Sequence, residues 1–348
     1  MAERRVPATL DEMRAIVAQF PGADQDAAQE TAAREAALTK PAGALGRLEE
    51  ITHWMATWQG KHPPTCVHPR AAVFAGNHGV AALGVSAYPA TVTAQMVKNF
   101  VDGGAAVNQL CRAVDADLRV YEMALDEPTA DFTREAAMSE EECAMALAYG
   151  MMAVEPGIDL LAVGEMGIAN TTSAAALAAA LYGGDAAQWV GPGTGVAGAA
   201  LERKRAVVEQ GVARHKSAAR DGFDLLRRLG GRELAAMVGA IIAARMAHVP
   251  VLLDGYACSA AAACLAAVDA PGSEVGALDH CLVAHCSAEP GHRLLLEKLG
   301  KKPLIDFGMR LGEASGATLA IAIVKAAIAC HTGMATFAEA GVSGKESS

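Results

Sequence analysis

The chain has 348 residues, enough for one large domain or two, with a formal net charge of -10 at pH 7 and a pI near 5.5. That balance argues against a nucleic-acid partner, which calls for a basic surface. Hydrophobic residues make up 52% of the chain, aromatics only 4%, and glycine numbers 35, so close helix–sheet packing is expected rather than an aromatic-rich β-sandwich.

The first fourteen residues are charged and lack the apolar core of a signal peptide. No apolar run is expected to reach membrane-crossing length. Eight cysteines are scattered without a CxxC pair, which points to reduced thiols in the cytoplasm and to no metal site. Helical spacing then runs from Leu10 to Phe20 and stops at Pro21-Gly22. An Ala- and Glu-rich helix is expected over 24–38. The turn at Lys40-Pro41-Ala42-Gly43 leads into a third helix through Trp58, and Lys40 there is either solvated or an anion contact.

From about residue 66 the pattern changes to short apolar runs that end in glycine or a polar turn: Arg70–Ala75, Leu118–Met123, Leu160–Val163, Gln188–Val190, Pro250–Leu253 and Leu282–His285. Helices are expected over 94–112, 140–151, 173–182, 201–217, 233–247, 259–268 and 318–329. Apolar strands alternating with helices predict an α/β fold, with a parallel sheet covered on both faces. The polar turns all fall at the carboxyl ends of its strands, where such sheets bind ligands. The Ser/Gly/Lys tail from Ser343 is expected to fray.

Those turns carry the candidate chemistry. Gly191-Pro192-Gly193-Thr194-Gly195 and Gly164-x-x-Gly167 offer backbone amides to a phosphate, or are only tight turns. Neither is a P-loop or a dinucleotide fingerprint. Lys204, on the helix that follows, can add a charge to a phosphate. Glu165 sits between glycines at a strand end, with Asn170-Thr171-Thr172 behind it; it is an acid/base group, a ribose anchor or a capping carboxylate. Glu313 lies in Gly308-Met309-Arg310-Leu311-Gly312-Glu313 against apolar surface. Such a carboxylate has a raised pKa and serves as a base near neutrality, unless it is simply the first turn of a helix answering the dipole. His78, after Asn77, orients a substrate or caps its turn.

Taken together, Lys40–Gly46, Ala75-Gly76-Asn77-His78-Gly79-Val80, Gly84–Pro89, Val92–Met96, Gly164-Glu165-Met166-Gly167, Asn170-Thr171-Thr172, Pro250–Gly255, Ser287-Ala288-Glu289 and Met309–Glu313 closely resemble the nicotinate-nucleotide:5,6-dimethylbenzimidazole phosphoribosyltransferase family of cobalamin biosynthesis. The resemblance implies a Rossmann-like large domain over 61–309 and a small helical domain built from 1–60 and 310–348. It implies a homodimer, nicotinate mononucleotide and dimethylbenzimidazole as substrates, and no cofactor. By motif position it implies Glu313 as base and Glu165 as the second acidic residue, with Leu311 lining the base. Nucleotide contacts fall on Gly167, Asn170, Thr171, Gly191, Gly193, Lys204 and Ser287, and the benzimidazole pocket near Tyr88, Gln95 and Met166. Asn77 and Ala169 depart from the Asp and Gly that many members carry there.

Overall fold

Pro69–Ala75 (β1), Asp117–Glu122 (β2), Leu160–Met166 (β3), Val251–Leu253 (β4) and Cys281–Val283 (β5) form a parallel sheet in the order β2-β1-β3-β4-β5 in the computed structural model, which describes residues 9–268 and 276–343. Fifteen α-helices accompany it among the described residues. Before β1 come α1 (Leu10–Val17), α2 (Gln25–Ala37) and α3 (Arg47–Gln59). Between β1 and β3 lie α4 (Thr91–Val101), α5 (Ala106–Val114) and α6 (Glu140–Met151). The long β3–β4 connection holds α7 (Asn170–Tyr182), α8 (Ala186–Trp189), α9 (Ala199–His215), α10 (Gly222–Leu229) and α11 (Arg232–Met246). Then follow α12 (Tyr256–Ala266), α13 (Pro290–Leu299), α14 (Ser315–Gly333) and α15 (Phe337–Ala340).

Alternation along the strands sorts side chains to two buried faces. Ala72, Phe74, Leu161, Val163, Val251 and Leu253 join a core with α6, α7, α10, α11 and α12. Ala71, Val73, Leu160, Ala162 and Leu252 join a second core with α3, α5 and α14. Small residues set the spacing: a Cβ on Gly150 of α6 would lie 1.8 Å from the Ala236 carbonyl oxygen of α11. One on Gly239 would lie 1.8 Å from that of Leu147, so the two helices touch backbone to backbone.

The two chain ends meet. Leu38 bridges Thr336, and Arg34 donates to the carbonyls of His331, Thr332 and Met334. Lys40 is held between Glu35 and Glu49 at 2.9 and 2.8 Å, so it is ion-paired rather than solvated. α1 instead packs on α6, with Leu10, Met13 and Val17 in the first core.

Several expectations change in place or kind. Gln188–Val190 does not join the sheet but closes α8 and its C-cap. The helix expected over 94–112 breaks into α4 and α5 at Gly103, whose φ is +79°. Contrary to expectation, one apolar segment does reach membrane-crossing length and composition, the 19-residue α14. Its apolar residues Ala317, Ala320, Ile321, Val324 and Ala327 are buried in the second core. Of the polar tail, residues 344–348 lie outside the described residues.

Candidate active site

The strand order reverses between β1 and β3, and at such a reversal the connecting loops part and leave a crevice. A cleft of about 470 Å³ opens there, at the carboxyl ends of the strands. Glu165 and Met166 come to it from β3, Asn170 and Thr171 from the start of α7, and Ser287 from the loop after β5. Leu311 and Glu313 come from the turn before α14, and Tyr88 from the loop before α4.

Glu313 precedes α14 and stands outside its first turn, with φ +61°; Ala314 follows at +56°. Its amide donates to the Glu165 carbonyl at 2.9 Å. The side chain is 4% exposed. Burial, then the negative charge of Asp254, pushes its carboxyl up to about 7. Glu165 is half-buried and accepts from Asn170 Nδ2. Burial and the charges of Asp254 and Glu233 push it up to about 8, against the Asn170 hydrogen bond. Gly312 leaves room for that carboxylate: a Cβ there would lie 2.7 Å from Glu165 Oε1.

A second group is built around Lys204, which is 1% exposed. Its ammonium donates to Thr171 Oγ1 at 2.8 Å and to the Gly191 carbonyl at 2.9 Å. Burial brings it down to about 8, opposed by the charge of Glu289. A Cβ on Gly193 would lie 2.9 Å from Nζ, so this lysine stands behind Gly193 and Thr171 and reaches the cleft through them. Gly191 likewise stands back from the cleft wall, while Gly167, Asn170, Thr171, Gly193 and Ser287 line it.

The apolar wall is Val92, Met96, Met166, Ile168, Tyr256 and Leu311. Tyr88 and Leu311 are each 56% exposed at its rim. Gln95 is exposed and is not among the lining residues; α4 turns Val92 and Met96 to the cleft instead. His78 neither faces the cleft nor caps its turn: its buried ring pairs with Glu233 at 2.6 Å and Ser173 at 3.0 Å.

Sequence reasoning passed over Asp254, His285, Glu289 and Arg310. Glu289 Oε1 accepts from the Gly193 amide at 2.9 Å, and Arg310 Nη1 donates to the Gly193 carbonyl at 2.7 Å. Asp254 accepts from the Ala317 amide at 2.9 Å and lies 3.6 Å from His285 Nε2. Asp254, Glu289 and Arg310 stand inside the motifs that carry the resemblance, which was the available signal. No group of three or more metal-ligating side chains is placed to hold an ion among the described residues. The eight cysteines are free.

Comparison with known proteins gives the family and the fold. A phosphoribosyltransferase family model matches residues 20–342. A Brucella anthropi protein named nicotinate-nucleotide–dimethylbenzimidazole phosphoribosyltransferase is 56% identical over 337 residues, covering 97% of this chain and 98% of that protein. A Methylocella silvestris protein of the same name is 58% identical over 338 residues, with the same coverage. A crystal structure under that name from Thermus thermophilus is 38% identical. It covers 92% of this chain and 100% of its own, with a TM-score of 0.83.

Proposed function

The chain belongs to the nicotinate-nucleotide–dimethylbenzimidazole phosphoribosyltransferase family, and we propose that Glu313 is the general base of that reaction in this protein. The enzyme transfers the 5-phosphoribosyl group from nicotinate mononucleotide to dimethylbenzimidazole and releases nicotinate, in assembly of the lower ligand of cobalamin.

The ring nitrogen of nicotinate mononucleotide is a pyridinium and leaves uncharged, so its departure needs no acid. The acceptor is neutral. Attack by its lone-pair nitrogen on the anomeric carbon forms the new C–N bond and would leave a cation, unless the other nitrogen gives up its proton. Glu313 takes that proton. Glu165, raised to about 8 and so largely protonated near neutrality, sits beside the base and positions the ribose. Gly167, Gly193, Thr171 and Ser287, backed by Lys204, hold the phosphate and fix the ribose for in-line attack. Attack opposite nicotinate inverts the anomeric carbon and gives α-ribazole 5'-phosphate. The apolar wall with Tyr88, Met166 and Leu311 takes the benzimidazole.

The observation that carries this reading is the tie between Glu313 and Glu165, which sets two carboxylates with raised pKa values in one cleft. The contacts of α2 with α3 and of α3 with α14 support a helical unit drawn from both chain ends beside the α/β unit, with α1, packed on α6, on the α/β side. Exposed Tyr88 and Leu311 at the rim of the cleft fit a homodimer, and the free cysteines fit the cytoplasm. The test is to incubate the protein with nicotinate mononucleotide and a panel of benzimidazoles and purines, then to analyse products by mass. Base-dependent nicotinate release is expected, with a product of the mass of the ribosylated base 5'-phosphate whose α linkage is read by NMR. No nicotinate release with any base would overturn the reading.

A further inference from the structure

Asp254 follows β4 and is 1% exposed. Its amide donates to the Val163 carbonyl of β3 at 3.2 Å, and its carboxylate accepts from the Ala317 amide in the first turn of α14. It therefore fastens the segment that carries Glu313. That segment needs fastening, since Glu313 and Ala314 both hold left-handed backbone, a conformation that persists only where the surroundings over-determine it. The turn also presses on β3, because a Cβ on Gly164 would lie 2.2 Å from the Ala314 amide nitrogen.

His285 completes the group. It is 1% exposed, lines the cleft, and lies 3.6 Å from Asp254. Neither ring nitrogen has a hydrogen-bond partner among the described residues. Gly316 of α14 packs flush on the ring: a Cβ there would lie 2.0 Å from His285 Cδ2. The titratable groups facing Asp254 are Glu165 from β3, Cys258 from α12, His285 after β5 and Glu313 before α14; Glu233 of α11 acts on Glu165.

We infer that Asp254 is a positioning residue for Glu313: it holds the turn that carries the base and keeps a negative charge behind it. The inference rests on Glu313 being the base. An anion behind a second carboxylate makes that carboxylate hold its proton more tightly and so makes it a stronger base.

Asp254→Asn keeps an oxygen for the Ala317 amide but removes the charge. The experiment measures kcat at saturating substrates from pH 5.5 to 9 for the wild type, Asp254→Asn, Asp254→Glu and Glu313→Gln. Asp254→Asn is expected to move the acid limb down by roughly 0.5–1 pH unit and to lower the plateau by about tenfold. Asp254→Glu, which keeps the charge but displaces the carboxylate by one methylene, is expected to lower the plateau and leave the limb where it is. An Asp254→Asn enzyme slowed by one factor at every pH, or not slowed, would show a plain helix cap and overturn the inference. Should Asp254→Asn fail to fold by circular dichroism, a wild-type plateau in Asp254→Glu overturns it. Wild-type kcat in Glu313→Gln would instead sink the base assignment itself, which separates the two failures.

Discussion

The backbone amide of Glu313 donates to the carbonyl of Glu165 at 2.9 Å. This single bond ties the turn before α14 to the end of β3 and brings together two carboxylates that are far apart in the chain. Neither is solvated as a surface glutamate would be, and burial is the largest cause of the raised pKa in both.

Glu313→Gln is expected to lower kcat by about 10²–10⁴-fold, the usual effect of removing a general base. The amide keeps the size of the side chain but cannot accept the acceptor's proton. Circular dichroism and dimethylbenzimidazole binding should stay close to wild type. Glu165→Gln, made beside it, is expected to cost less. Near-normal kcat in Glu313→Gln with loss in Glu165→Gln would reverse the roles.

Activity should rise with pH through about 7 as Glu313 ionises. Stability should run the opposite way. A carboxyl whose folded pKa is raised binds more protons folded than unfolded between its ordinary value, 4.5, and about 7, so the native state loses stability as pH rises across that window. Glu313→Gln removes this loss. Its Tm relative to wild type is expected to climb as pH rises from 4.5 through about 7 and then level off; a difference that does not change with pH would contradict the buried, raised carboxyl.

Lys204→Ala should raise KM for nicotinate mononucleotide more than it lowers kcat, because its charge adds mainly ground-state affinity for the phosphate. The structure adds a reason: the ammonium also fixes Thr171 and the Gly191 carbonyl. Steady-state kinetics with varied nucleotide check this, and an unchanged KM would remove Lys204 from the nucleotide site.

Gly164→Ala should disable the enzyme without touching a functional side chain. The new methyl meets backbone, 2.2 Å from the Ala314 nitrogen and 2.4 Å from its Cα, so the turn rather than a flexible side chain must move. Overpacking of this kind costs about 1–3 kcal/mol. Displacement of Glu313 should lower kcat beyond any loss of folded protein, as read by urea melts alongside kcat.

Ala169→Gly should stabilise the protein. Ala169 holds φ +76° just before α7, a conformation that costs a residue with a Cβ about 1–2 kcal/mol. Glycine gives back part of this through its freer unfolded chain, leaving a gain of about 0.5–1 kcal/mol. Urea melts measure it, with kcat expected to stay close to wild type.

The alternating apolar runs that end in glycine determined the parallel sheet, because a strand buried on both faces must be apolar throughout and its carboxyl end must turn. Glu313 and Glu165 were also legible, since each carries its setting in its own neighbours, glycines and apolar side chains. Local sequence could not fix the phase of a helix face: neighbours on a helix point about 100° apart, so Gln95 was expected where α4 presents Val92 and Met96. Nor could it separate a short apolar run from a helix turn, as at Gln188–Val190. Lys204 was visible as a cation near a glycine loop, but only the packing of α9 against α7 put it behind Thr171 rather than in the cleft wall. Asp254 and His285 follow different strands, and nothing near either one names the other. They meet because β4 and β5 are neighbours in register and α14 lays its first turn across their ends, a proximity that belongs to the order of the strands and to no stretch of the chain.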